Sequence, residues 1–287
     1  MMKIISWNVN GVQGIMKKNI RGEKTTLTEL KKNGSTNAFK FLIEEEDPDI
    51  ICLQEIRCSA EFEKKKEYKF LQTIYPFIYA NYSTVRKGYS GTMILSKIEP
   101  QSIINDFGDE KMASLADPGL SKEGRCQTLI FDSFVLINIY VPNSGVDELR
   151  RLSWRIQVWE TTLLKYLDSL KNLYSRTLVL MGDFNVIHHK IKDSHRPLND
   201  KSRFAGGTIE ERTSFDNLLI KGEFVDTFRQ LRPNRQKFTW HYSFDRSKGY
   251  RLDYALVSKS EIGRVKKSII LNKYLGSDHS PISLIFD

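Results

Sequence analysis

The chain has 287 residues, of which 40% are hydrophobic and 28% charged, the balance of a folded globular protein rather than a disordered one. Its apolar runs stop well short of the roughly 18 residues a membrane helix needs, so a transmembrane segment is excluded. The three cysteines (Cys52, Cys58, Cys126) cannot all pair and lack zinc-ligand spacing, while the net charge of +9 suits a polyanion, with nucleic acid first, or serves solubility alone.

The N-terminus runs directly into an apolar strand over Lys3 to Val9. No charged segment leads an apolar one there, which predicts an intracellular protein that is not secreted. Residues Lys17 to Asn37 are polar and basic (Lys17, Lys18, Arg21, Lys24, Lys31, Lys32) and read as an exposed, mobile loop. A helix follows over Asn37 to Glu45, then buried strands over Asp49 to Leu53 and Gly91 to Leu95. Gln127 to Val141 is β-rich, and Asp132-Ser133 at its middle predicts a hairpin turn. From Asp147 to Leu173, apolar residues recur at helical spacing (Leu149, Leu152, Ile156, Trp159, Leu163, Tyr166, Leu167, Leu170), predicting a long amphipathic helix. Thr177 to Met181 is a strand, Glu210 to Leu219 a helix, and Leu252 to Val257 and Ile282 to Phe286 are strands. Without a repeat or a linker, residues 1–287 read as one α/β domain with mixed sheets.

Polar residues gather where these apolar strands end. Asn8 and Asn10 follow the first strand, Gln54-Glu55 the second, and Asn138, Tyr140 and Asn143 close the hairpin. Asp183 and Asn185 follow the strand Thr177 to Met181, Asp253 lies in Arg251-Leu252-Asp253-Tyr254, and Ser277-Asp278-His279-Ser280 precedes the last strand. Any one of these could be an ordinary turn. Six in one chain favour a site assembled at one rim of the sheets.

The residue types fit one chemistry. Glu55 and Asp278 offer hard oxygen ligands for Mg²⁺. His279 beside an acid can polarise a phosphate oxygen or move a proton near neutral pH. Asn8, Tyr140 and Asn185 can donate hydrogen bonds to charge building on phosphorus. Asp183 can orient a water for in-line attack. No Ser or Cys is framed by His and an acid, which favours direct hydrolysis over a covalent intermediate. No Walker-type loop occurs, which argues against an ATPase.

In chain order the motifs are Ser-Trp-Asn-Val-Asn-Gly (6–11), Asp-Ile-Ile-Cys-Leu-Gln-Glu (49–55), Gly-Tyr-Ser-Gly (88–91), Glu-Gly-Arg (123–125), Tyr-Val-Pro-Asn-Ser-Gly (140–145), Gly-Asp-Phe-Asn-Val (182–186), Arg-Leu-Asp-Tyr (251–254) and Gly-Ser-Asp-His-Ser-Pro-Ile (276–282). This series resembles exonuclease III-type apurinic/apyrimidinic (AP) endonucleases, within the wider endonuclease/exonuclease/phosphatase superfamily. The resemblance implies a DNase I-like, four-layer α/β sandwich of two packed mixed β-sheets flanked by helices. It implies Mg²⁺-dependent hydrolysis, with Mn²⁺ able to substitute, of the DNA phosphodiester 5′ to an abasic site in base excision repair. A 3′-hydroxyl and a 5′-deoxyribose phosphate would remain, and 3′-5′ exonuclease or 3′-phosphodiesterase activity would accompany the cut. The implied partner is double-stranded DNA with abasic sites, met by a monomer away from membranes.

By motif matching, Glu55 is the principal metal ligand, with Asn10 and Asp278 nearby. Asp183 and Asn185 handle the attacking water or leaving group, and His279, paired with Asp253, holds the scissile phosphate. Tyr140, Asn8 and Asn143 complete the phosphate site, with Arg57, Tyr89 and Arg125 toward the DNA. Trp240, Tyr250 and Leu252 wall an apolar pocket for the flipped abasic sugar. The chain departs from the family pattern in its basic insertion at about 17–37, in Val146 where animal relatives carry an inserting Arg, and in Arg203-Phe204. Rival readings are a general DNase or retroelement-type nicking enzyme of the same superfamily, and a non-catalytic nucleic-acid-binding module. Intact Glu55, Asp183, Asn185, Asp253 and His279 argue against the last.

Overall fold

The computed structural model describes residues 1–23, 37–108, 122–242 and 246–287. Two six-stranded sheets dominate it. The first contains β1 (Met2–Asn8), β2 (Ile50–Gln54), β3 (Phe77–Asn81), β4 (Thr92–Ser96), β13 (Val265–Ile270) and β14 (Ile282–Phe286), in the order β13-β14-β1-β2-β4-β3. The second contains β5 (Ser102–Asn105), β6 (Cys126–Ile130), β7 (Phe134–Tyr140), β8 (Thr177–Asp183), β9 (Phe224–Asp226) and β12 (Asp253–Ser258), in the order β5-β6-β7-β8-β12-β9. In each sheet one central pair is parallel, β1 with β2 and β7 with β8, and the other pairs are antiparallel.

The strands read as continuous apolar runs because both of their faces are buried. Ile4, Ile50, Cys52 and Ile94 of one sheet meet Leu136, Val179, Met181, Ala255 and Val257 of the other in a shared inner core. Their neighbours in sequence point outward under helices. Ile5, Trp7, Ile51 and Leu53 pack with Phe39 and Leu42 of the helix Ala38–Glu46. Val135, Ile137, Leu178 and Leu180 pack with Leu163, Leu167 and Leu170 of the helix Thr161–Leu173 and with Phe215 of the helix Ile209–Lys221. The result is the four-layer α/β sandwich. No helix among the described residues is long and apolar enough to cross a membrane.

Two expectations need correction. The long helix does not begin at Asp147. Glu148 and Leu149 adopt left-handed backbone (φ 52° and 56°), so helical geometry starts only at Leu152. It then passes through a π-helical turn, Arg155–Glu160, before the α-helix Thr161–Leu173. The basic loop is also anchored at its base. A short helix, Val12–Ile15, precedes it, Asn19 pairs with Asn37 in an isolated bridge, and the Lys18 ammonium donates to the Gly276 carbonyl. Residues 24–36, the remainder of that expected loop, lie outside the described residues.

Candidate active site

Side chains alternate across a strand, so the inner face of β1 carries Ile4, Ser6 and Asn8 in turn. The same parity places Val179, Met181 and Asp183 on β8, and Leu136, Asn138 and Tyr140 on β7. At one end of the sandwich, therefore, the inner faces change from apolar to polar. There Gln54 Nε2 donates to Asn138 Oδ1 at 2.7 Å, and Asn8 Nδ2 donates to Asp183 Oδ2 at 2.9 Å, tying the two sheets together. Gly182 is required just before Asp183, because a Cβ there would lie 1.8 Å from the Ile139 carbonyl oxygen on β7.

Asp183, Asp253 and His279 converge at this end, all buried. His279 Nδ1 lies 2.8 Å from Asp253 Oδ2, and Nε2 lies 3.8 Å from Asp183 Oδ2. Burial opposes charge on the imidazole, but Asp253 and then Asp183 outweigh it and raise its pKa to about 10. Burial pushes the Asp183 carboxyl up to about 7, against the pull of His279 and with a further push from Asp253. The backbone N–H of Asn185 donates to Asp183 Oδ1 at 2.8 Å. The Asn185 side chain donates to the Val141 carbonyl at 2.9 Å and accepts from Asn143 Nδ2 at 3.1 Å. The His279 backbone is held from behind, where Trp7 Nε1 donates to its carbonyl at 2.9 Å and its backbone N–H donates to Ser277 Oγ at 3.2 Å.

A more open acidic face adjoins this centre. The chains leaving β1 and β2 stay paired, with the Gly11 N–H donating to the Glu55 carbonyl at 2.8 Å, and Asn10 and Glu55 are both left-handed (φ 46° and 53°). Asn10 Nδ2 donates to Asp278 Oδ1 at 3.0 Å, and Trp240 Nε1 donates to Asp278 Oδ2 at 3.1 Å. Burial works against charge on Asp278, yet His279, then Asn10 and Trp240, hold its carboxyl below the usual range. Arg57 Nη2 pairs with Glu55 Oε1 at 2.8 Å and also feels Asp278. Burial and then Glu55 raise the Tyr140 phenol well above its ordinary pKa, so it remains a donor.

Two sets of acids could thus attract a cation. In the Asp183–Asp253–His279 set the imidazole is held protonated, and a protonated ring has no lone pair for a metal. Glu55, Asp278 and Asn10 present hard oxygens. Asn10 and Asp278 border a cavity of about 240 Å³, and Glu55 is partly open to solvent. This second set fits a hard divalent ion.

The remaining expected residues lie around these centres. Arg125 is buried, with its guanidinium 4.4 Å from the Tyr140 ring centroid and Nη2 bonded to the Tyr89 hydroxyl at 3.1 Å. That places Arg125 behind the surface expected to meet DNA, supporting Tyr89 and Tyr140. Trp240 (in β10, Trp240–His241) pairs with Tyr250 (in β11, Gly249–Tyr250), and their rings stack with centroids 5.7 Å apart. These two rings, Leu252, Asn143, Asn185 and His279 line a cavity of about 290 Å³. Phe204 and Tyr242 line it too, and sequence reasoning assigned neither to it. Only the Phe204 departure hinted at a change there. Val146, at its mouth, is 94% exposed. A concavity of about 720 Å³ at the opposite end of β8 contains none of these residues.

Residues 5–279 match the Endonuclease/Exonuclease/phosphatase family. The chain is 36% identical to the DNA-(apurinic or apyrimidinic site) endonuclease of Dictyostelium discoideum, over 100% of this chain and 71% of that one. It is 35% identical to the exodeoxyribonuclease of Bacillus subtilis (strain 168), over 100% of both chains. Its fold is similar to the crystal structure of AP endonuclease LMAP from Leishmania major, with a TM-score of 0.77, 27% identity, and coverage of 99% of this chain and 86% of that one.

Proposed function

The chain belongs to the Endonuclease/Exonuclease/phosphatase family, and from that premise we propose that it is an exonuclease III-type AP endonuclease. It hydrolyses the DNA phosphodiester 5′ to an abasic site in base excision repair, inside the cell and as a monomer, with accessory 3′-5′ exonuclease activity. The whole chain, 1–287, acts as one catalytic domain carrying a basic insertion at about 17–37. The observation that carries this reading is the placement of the buried Asp183–Asn8 and His279–Asp253 pairs between an open acidic face and an apolar cavity.

Glu55 and Asp278, with Asn10 beside them, would hold Mg²⁺, which would neutralise phosphate charge as a Lewis acid. His279, kept charged by Asp253, donates from Nε2 to a non-bridging phosphate oxygen. Asp183 is anionic above about pH 7 and takes the proton of a water as its oxygen bonds to phosphorus. The P–O3′ bond breaks, and the departing O3′ takes a proton from solvent water to become the 3′-hydroxyl. Tyr140 and Asn185 donate to the charge that develops on the phosphoryl oxygens. The cavity walled by Trp240, Tyr250 and Leu252 takes the flipped sugar, which is small because it lacks a base.

The chemistry is tested by the product ends. Cleavage of a tetrahydrofuran-containing duplex should leave a 3′ end that a DNA polymerase extends without further processing. A 3′-blocked end, or no cleavage, would remove this reading.

A further inference from the structure

Arg155 is a charged residue within an apolar helical pattern, and it is 1% exposed. Its guanidinium makes four hydrogen bonds. Nη2 donates to the Phe184 carbonyl at 2.8 Å, and Nη1 donates to the Asn185 carbonyl at 2.9 Å. Nη1 also reaches Glu211 Oε1 at 2.9 Å, and Nε donates to Glu160 Oε1 at 2.7 Å.

The two carbonyls belong to the peptide planes on either side of the Asn185 Cα. Rotation of those planes is what φ and ψ of Asn185 describe, so one rigid fork fixes both. Asn185 is left-handed (φ 49°), a conformation that asparagine tolerates better than other residues with a Cβ and that the two carbonyl contacts hold in place. Its backbone N–H in turn holds Asp183 Oδ1, and its side chain bonds Asn143. The fork is itself aimed by the π turn. A π-helix has more residues per turn than an α-helix, which brings positions five apart onto one side, here Arg155 and Glu160. Glu211 braces the other edge and also accepts from the Gly206 N–H, which borders the apolar cavity.

We infer that Arg155, aimed by Glu160 across the π turn, is a positioning residue that holds Asn185 and Asp183 in their reactive geometry. It touches no substrate, and this inference rests on the phosphodiesterase reading of the site. Lysine at this position keeps the charge but replaces the planar fork, whose two nitrogens each hold one carbonyl, with a single freely rotating ammonium.

The test is steady-state cleavage of a tetrahydrofuran duplex by the full chain, measured well below each variant's melting temperature. Arg155→Lys should lower kcat by about 30-fold or more, as small misplacements of reacting groups do, with KM within about twofold. Glu160→Ala should lower kcat about fivefold, also at unchanged KM. Normal kcat in folded Arg155→Lys would overturn the inference by making the arginine merely structural. If Arg155→Lys does not fold, Glu160→Ala decides alone, and unchanged kcat there overturns it. An unmutated protein inactive on every duplex would instead overturn the functional reading beneath it.

Discussion

His279 and Asp253 form a buried pair, Nδ1 to Oδ2 at 2.8 Å, that leaves the other imidazole nitrogen facing Asp183. The pair brings together a residue just before β14 of one sheet and a residue at the start of β12 in the other. Asp253→Asn should slow cleavage less than His279→Ala, because the ring remains. The double variant should lose much less than the product of the two, since the pair acts as a unit. Fully multiplicative losses would contradict the pairing.

Asp183 and His279 set a pH window. The Asp183 pKa is raised to about 7, so its carboxylate, and with it the rate, is lost as pH falls through that value. The His279 pKa is raised to about 10, so the imidazolium persists until pH rises through that value. Single-turnover rates should form a plateau between these limits. In Asp253→Asn the alkaline limb should move down, because the anion that outweighs burial is gone. An alkaline limb unmoved by that substitution would separate it from His279.

Glu55 is paired with Arg57 at 2.8 Å, so a cation must share or displace that contact. Glu55→Gln should lose about 100-fold or more in rate at low Mg²⁺ and recover in part at high Mg²⁺ or Mn²⁺. Full activity of this variant in EDTA would end the metal assignment.

Much of this site could be read from strand parity. Ile4, Ser6 and Asn8 alternate with Ile5 and Trp7, and the polar members fall where the strand ends, so Asn8 and Asp183 were legible as neighbours of a core. Elements lacking an apolar face were not. β5 is an edge strand that is mostly exposed, and a register shift between Val265 and Lys267 breaks the alternation of β13. Arg155 was also hidden. Sequence spacing put it in an amphipathic helix, where a charge normally faces water, and only the π turn and the Phe184 and Asn185 carbonyls explain its burial. Phe204 and Tyr242 reach the cavity through loop geometry that no periodicity encodes.

The basic segment supplies a separate prediction. Lys17 is exposed and Lys18 is tied to Gly276 beside the acidic face, so this end of the loop lies next to the site. Neutralising Lys17, Lys18, Arg21 and Lys24 should weaken DNA binding. Its salt dependence should flatten by about one unit of slope for each DNA phosphate that the protein no longer neutralises. Single-turnover rates at saturating enzyme should stay unchanged. A collapse of that rate would give the segment a catalytic role instead.

The most direct measurement is a nicking assay on two duplexes that differ only at one position, tetrahydrofuran against an ordinary nucleotide, with Mg²⁺ and with EDTA. Leu252 is half-buried and walls the cavity of about 290 Å³, so Leu252→Ala belongs in the same assay. The unmutated chain should cut the tetrahydrofuran duplex far faster than the intact one, and only with metal. Leu252→Ala should narrow that preference, and its melting point should fall by less than the roughly 2–5 kcal/mol cost of a fully buried leucine implies. Equal nicking of both duplexes by the unmutated chain would contradict the account and make this protein a general nuclease.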